Sequence, residues 1–203
     1  MTQPSAEANT GSRFDAGRLA ALSDGIFAVA LTLLILDIKP PETDAAHLAW
    51  TLVTTIPSFG IFALSFAIVS YHWVVHHLIF GLLKAVDRRL IWLNFAFLFT
   101  IVVLPFSAAV LGRYPSAPPA LVLYGTNIAS CSAALTLVWW YMLRAKLTTN
   151  MRPALQHYIS VRFLIWFALS IVGIGLAPFL PIGSLTIFVA LPILYAFSSR
   201  PPK

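Results

Sequence analysis

The sequence predicts an all-α integral membrane protein with six transmembrane helices in each subunit and both termini in the cytoplasm. Of its 203 residues, 59% are hydrophobic and only 10% are charged, whereas a soluble domain has about 25% charged residues. Its apolar segments are long, are punctuated by proline and glycine, and lack the ten-residue alternation of a membrane β-barrel. These observations, together with basic residues in alternate loops, define the fold class.

Six apolar segments follow a short polar lead at residues 1–17, and together they form one predicted domain over 18–203. The predicted spans are 18–38, 48–80, 89–112, 119–145, 157–179 and 182–199. A bilayer core needs about 20 helical residues, so the second span is expected to tilt or to extend past the membrane. Pro181 and Gly183 indicate a tight turn before the last span.

Basic residues lie mainly at every second connection of the chain. They are Arg13, then Lys84, Arg88 and Arg89, then Arg144, Lys146 and Arg152, and finally Arg200 and Lys203. The other loops carry only Lys39 and Arg113, so the positive-inside rule places both termini in the cytoplasm. The net charge of +6 is therefore a topology signal with an attraction for anionic membrane lipid, and no nucleic-acid partner is expected.

The first span, RLAALSDGIFAVALTLLILDI, carries a narrow stripe of small and mildly polar residues. At 100° per residue, Gly25, Val29, Thr32 and Leu36 fall within an arc of about 80°. From spacing alone, the stripe is typical of a helix–helix contact, because glycine permits close approach. A cleaved signal peptide is an alternative interpretation of this segment, although Asp24 at the start of the apolar core argues against it.

Asp24 lies about 120° away from the stripe on the helical wheel. It is six residues from Arg18, which is too far for a favourable pair on one helix. An unpaired charge in the membrane is costly, so a partner from another span is expected, and the candidates are His72, Trp73, His76, His77 and Asn94. The alternative is that Arg18 and Asp24 lie at the headgroup level and extend into water.

His72 and His76 are four residues apart, which is the spacing of two metal ligands on one helix face. Outside this segment the sequence has only His47 and His157, each isolated, and carboxylates are scarce inside the spans, so neither a metal nor a cofactor is predicted. His76 and His77 are expected to be solvated near the cytoplasmic end, whereas the deeper His72 is the better candidate for a hydrogen bond to Asp24 or Asn94. No hydrolase or nucleotide-binding motif occurs, so no enzyme is predicted.

The residues R-L-A-A-L-S-D at 18–24, followed by Phe27, Ala28 and Thr32, resemble a known signature. It is the R-x-x-x-F-S-D sequence that opens the first helix of the transmembrane protein 175 potassium channel family. YHWVVHH in the second span and LNFAFLFTIVVLPF in the third are similar to further family regions, so the resemblance covers 18–110 and is only topological beyond. Leu22 stands where the family usually has phenylalanine, so packing at this point is expected to differ.

The resemblance implies a homotetramer in the plasma membrane that conducts potassium ions with modest selectivity through a central pore. The first helix of each subunit would line this pore, with Val29, Thr32 and Leu36 facing it as apolar and hydroxyl rings. A polar network of six residues would hold the helix in place: Arg18, Ser23, Asp24, His72, Trp73 and Asn94. The alternatives are a secondary transporter or proton-coupled carrier, then a membrane enzyme, and then a purely structural membrane protein.

Overall fold

The computed structural model describes residues 15–197, and within this range the chain folds into seven α-helices. They are α1 Ala16–Leu33, α2 Leu48–Thr54, α3 Ile56–Phe80, α4 Arg88–Arg113, α5 Pro118–Arg144, α6 Pro153–Leu176 and α7 Pro181–Phe197. A 3-10 turn, Leu34–Asp37, extends α1. The described residues contain no strand beyond one isolated bridge. The prediction of an all-α fold is therefore confirmed.

Five of these segments are long and apolar enough to cross a membrane. They are α1 with its 3-10 extension, α3, α4, α5 and α6. The apolar part of α7, Pro181–Leu194, is shorter, so the count of six spans and the location of the termini stay predictions. Residues 1–14 and 198–203, with most of the predicted polar lead and the last basic residues, lie outside the described range.

The predicted second span, 48–80, is wrong as a single helix. The structure divides it at Thr55 into the short helix α2 and the 25-residue helix α3. The cause is Pro57 in the first turn of α3, because proline lacks the N–H that would continue the α-helical ladder and is tolerated at a helix start. None of the α2 residues is buried.

The first helix also differs from its prediction at both ends. It begins at Ala16, because the side chain of Asp15 caps the helix by accepting a hydrogen bond of 2.8 Å from the N–H of Gly17. It tightens into the 3-10 turn at Leu34, so its last turn is narrower than the α-helix predicted to reach 38.

The helices pack around one apolar core. α1 packs against α3 and α4, whereas α5 packs against α4, α6 and α7 and has no contact with α1. The largest buried side chains include Phe27, Phe97, Tyr124, Trp139 and Phe188. Because α4 lies between α1 and α5, the subunit has an α1 side and an α5–α6 side.

The two basic loops meet at one end of the bundle. The N–H of Lys84 donates to the carbonyl of Leu147 at 2.9 Å, and the N–H of Thr149 donates to the carbonyl of Leu82 at 2.8 Å. These bonds flank an antiparallel bridge between Leu83 and Thr148. The loops α3–α4 and α5–α6 therefore lie on the same side of the membrane, as the charge pattern requires.

Pro105 lies inside α4, where it removes one backbone hydrogen bond without ending the helix. Asn127 of α5 bridges this point. Its side-chain amide donates to the carbonyl of Thr100 at 3.0 Å, and its Oδ1 accepts from the hydroxyl of Ser107 at 3.1 Å. The two sides of the proline are thus both bonded to the neighbouring helix.

Gly125 and Gly173 allow α5 and α6 to approach the ring of Phe188 on α7. A Cβ atom at either glycine would lie 2.6 Å from a carbon of that ring.

We expect Gly173→Ala to destabilise the protein by about 1–3 kcal/mol, because the core would be overpacked. Gly175→Ala, two residues along α6 and in open space, should be neutral or stabilising. Thermal unfolding in detergent compares the two, and equal shifts would contradict the close packing.

Candidate functional site

The helix α1 has one buried face and one exposed face. Leu19, Ser23, Phe27, Ala30 and Leu34 are buried against the rest of the subunit. The predicted stripe lies on the other side, where Gly25, Val29, Thr32 and Leu36 are all exposed. The exposed fractions are 56% for Val29 and 68% for Leu36, against 1% for Phe27. The subunit therefore leaves this whole stripe uncovered.

The hydroxyl of Thr32 has a defined orientation on the exposed face. Its Oγ1 lies 2.9 Å from the carbonyl oxygen of Val29 and 3.1 Å from that of Ala28. The hydroxyl hydrogen is therefore donated to the backbone of its own helix, and the oxygen lone pairs are left on the exposed side. Such an oxygen can accept a hydrogen bond from water or contact a cation.

A buried polar chain ties α1 to α3 and α4. The side-chain amide of Asn94 donates to Oγ of Ser23 at 2.9 Å, and Nε2 of His76 donates to Oδ1 of Asn94 at 3.0 Å. Ser23 in turn donates to the carbonyl of Leu19 at 2.9 Å. Ser23, His76 and Asn94 are each at most 1% exposed. These contacts fix which face of α1 points inward.

The contact expected from His72 to Asp24 or Asn94 is wrong, and His76 makes that contact with Asn94 instead. Nδ1 of His72 bonds to the carbonyl of Ile68 at 2.8 Å, one turn earlier in its own helix. Its Nε2 is buried and has no hydrogen-bond partner among the described residues. The prediction that His76 is solvated is also wrong, because its ring stacks on Phe80 within the core.

Asp24 finds its partner in Trp73, across the contact between α1 and α3. The indole Nε1–H donates to Oδ1 of Asp24 at 2.8 Å, at an exposed position. Trp73 also stacks on His77, with a centroid distance of 5.5 Å. Arg18 is exposed, and within residues 15–197 it makes no hydrogen bond or ion pair. Arg18 is therefore not joined to the Ser23–Asn94–His76 chain.

Acidic residues lie near the far end of α1. Asp37 ends the 3-10 turn, and Asp44 follows in the loop before α2. Hydrogen bonds from the side chain and the backbone of His47 lower the pKa of Asp44. Its carboxylate therefore stays charged in neutral solution and contributes a weak negative field at this end.

The fold and the site together define a class: a multi-pass α-helical membrane protein whose first helix is anchored inward by polar contacts and presents an uncovered stripe outward. A family model described as "Endosomal/lysosomal potassium channel TMEM175" matches residues 18–105. The chain belongs to the TMEM175 family. This is a family of ion channels, which is not an enzyme class.

Individual relatives agree with this assignment. A potassium channel of Streptomyces collinus is 35% identical over 135 residues, which are 64% of this chain and 66% of that protein. A potassium channel of a Chryseobacterium strain is 28% identical over 82% of this chain and 86% of its own length. The crystal structure of a lysosomal potassium-selective TMEM175 homologue from Chamaesiphon minutus matches with a TM-score of 0.80, at 28% identity. That match covers 91% of this chain and 98% of the homologue.

Proposed function

We propose that this chain is the subunit of a homotetrameric potassium channel of the plasma membrane whose central pore is lined by α1. The observation that carries the proposal is the two-faced helix: one face is held inward by Ser23, and the opposite stripe is left exposed. The potassium channels among its relatives support potassium as the permeant ion. One pore-lining helix in each subunit requires several copies to enclose a pore.

In this arrangement Val29 and Leu36 would each form an apolar ring around the axis. An ion that passes such a ring must shed part of its hydration shell and receives no oxygen in return. Potassium holds its water less tightly than sodium, so it meets the lower barrier, and selectivity is modest. Rings of this kind also close by dewetting when they narrow.

The Thr32 hydroxyl lies between these two rings along α1. Its lone pairs point away from its own helix, so four such oxygens would offer water or direct contacts to an ion between the rings. The acidic residues near the far end would raise the local cation concentration weakly and in a salt-dependent way.

Cysteine accessibility tests the pore assignment directly. The single cysteine of the sequence, Cys131, is fully buried, so an introduced cysteine is the accessible thiol. We expect currents of Leu36→Cys channels in planar bilayers to be blocked by a cationic methanethiosulfonate reagent, because residue 36 would face water. Single-channel steps in the same recordings distinguish a channel from a carrier.

Leu164→Cys on α6 is the matched control. Leu164 is 66% exposed in the isolated subunit, close to the 68% of Leu36, but among the described helices α6 packs mainly against α5 and α7 and has no contact with α1. It would face lipid, where a charged reagent does not react. Equal block at the two positions, or a detergent-solubilised mass that differs from four subunits, would contradict the proposal.

A further inference from the structure

A groove runs between α4 and α5 at the end of the subunit that carries the two basic loops. Its walls are indole rings, its floor is aliphatic and its rim is basic: Trp92 and Trp140, Leu93 and Leu137, and Arg89 and Arg144. Trp92 is 63% exposed, Trp140 51% and Leu137 48%. This is a largely apolar surface that ends at two guanidinium groups.

The rim of the groove is positively charged. Arg89 and Arg144 are both exposed, and within residues 15–197 neither forms an ion pair with a carboxylate. The guanidinium of Arg144 lies 3.7 Å from the ring centroid of Trp140, a cation–π contact that holds it at the rim. The nearby carboxylate of Asp87 does not line the groove. It accepts a hydrogen bond from the N–H of Leu90 at 2.8 Å and another from the hydroxyl of Tyr141 at 2.5 Å.

The position of the groove indicates what covers it. α5 has no contact with α1, so a tetramer built around α1 leaves the α4–α5 groove toward the surrounding lipid. Tryptophan side chains favour the headgroup level of a membrane, and arginine binds phosphate oxygens through paired N–H donors. The groove thus offers an apolar surface at the depth of the acyl chains and a phosphate site at the depth of the headgroups.

We propose that this groove binds an anionic phospholipid, with the phosphate between Arg89 and Arg144 and an acyl chain along Leu93 and Leu137. Two cations and no carboxylate line the groove among the described residues, so its rim is net positive and offers no carboxylate to pair with the ammonium of a zwitterionic headgroup. Charge complementarity therefore favours the anionic lipid. This inference rests on the proposed assembly of subunits around α1, but not on ion conduction.

Native mass spectrometry of the full chain in detergent, titrated with phosphatidylglycerol or phosphatidylcholine, tests the proposal. We expect phosphatidylglycerol to bind about tenfold more tightly, and Arg89→Gln with Arg144→Gln to remove that preference.

Arg88→Gln with Arg152→Gln is the matched control, since it removes two charges from the same loops outside the groove. It should change affinity less than about twofold. Leu137→Trp, which fills the floor and keeps all charges, should weaken both lipids.

Several results would overturn the proposal. An equal loss of phosphatidylglycerol preference in the control pair would mean that the basic loops attract anionic lipid without a defined site. Equal affinity of the wild-type protein for the two lipids would mean that the groove does not discriminate by headgroup charge. Displacement of phosphatidylglycerol by millimolar inorganic phosphate alone would indicate a free-anion site. Loss of subunit association in the groove variants would indicate a second copy of this chain as the occupant. If the glutamine pair fails to fold, unchanged affinity of Leu137→Trp for both lipids contradicts the proposal by itself.

Discussion

Asn94→Ala is expected to destabilise the subunit by about 2–4 kcal/mol. Asn94 makes two of the buried contacts between helices, one to Ser23 of α1 and one to His76 of α3. A single interhelical hydrogen bond in a membrane protein is worth only about 0.6 kcal/mol on average. The alanine variant also leaves the buried N–H of His76 unsatisfied, which costs about 1–3 kcal/mol more. Thermal unfolding in detergent measures the loss.

A double-mutant cycle isolates the contact between α1 and α4. Ser23→Ala and Asn94→Ala, alone and combined, should give a coupling energy of about 0.6–1.7 kcal/mol. Ser130→Ala is the control for the serine change, because among the described residues the Ser130 hydroxyl bonds only to the carbonyl of Thr126 in its own helix. Additive effects of Ser23→Ala and Asn94→Ala would show that the contact does not hold α1 in place.

Val29→Ala and Leu36→Ala are expected to raise conductance and to admit more sodium. Each change widens an apolar ring and so lowers the dehydration barrier for potassium and for sodium. The barrier falls more for sodium, because sodium holds its water more tightly. If a ring contributes about 1.4 kcal/mol to the barrier, its removal raises conductance about tenfold. Single-channel currents in symmetric potassium, followed by reversal potentials with sodium on one side, measure both effects.

Val172→Ala on α6 provides the comparison for the valine change. Val172 is 49% exposed and Val29 is 56% exposed in the isolated subunit, yet only Val29 lies on the proposed pore helix. Thr32→Ser keeps the hydroxyl and should conserve selectivity better than Thr32→Val. Unchanged currents and reversal potentials in both α1 alanine variants would remove these residues from the pore.

The sequence carried enough information for the fold class and for the two faces of α1. Hydropathy depends on composition and local order, so the long apolar helices could be found without tertiary contacts. The period of 3.6 residues likewise separated the stripe of Val29 and Thr32 from the side of Phe27, which the structure buries. The family prediction from the R-L-A-A-L-S-D motif is confirmed by the match over 18–105.

The partners across helices could not be predicted in the same way. His72 and His76 lie on one face of α3, four residues apart, and sequence alone does not fix how far α3 is shifted along α4. The structure sets this register so that Asn94 meets His76, and His72 is surrounded by rings such as Trp166. The break at Thr55 has a local cause in Pro57. The sequence prediction missed it because residues 48–80 form one continuous apolar segment.

The bridge that Asn127 makes across Pro105 has a consequence for the population of conformers. Without its backbone bond at the proline, α4 can bend there only if the two bonds of Asn127 open. Two such bonds are worth about 1–3 kcal/mol together, and at a factor of ten for every 1.4 kcal/mol a state that far above the ground state is occupied at about 0.6–16%. α4 packs directly on α1. The first helix therefore rests on a neighbour whose bent form is separated from its straight form by only a few times the thermal energy.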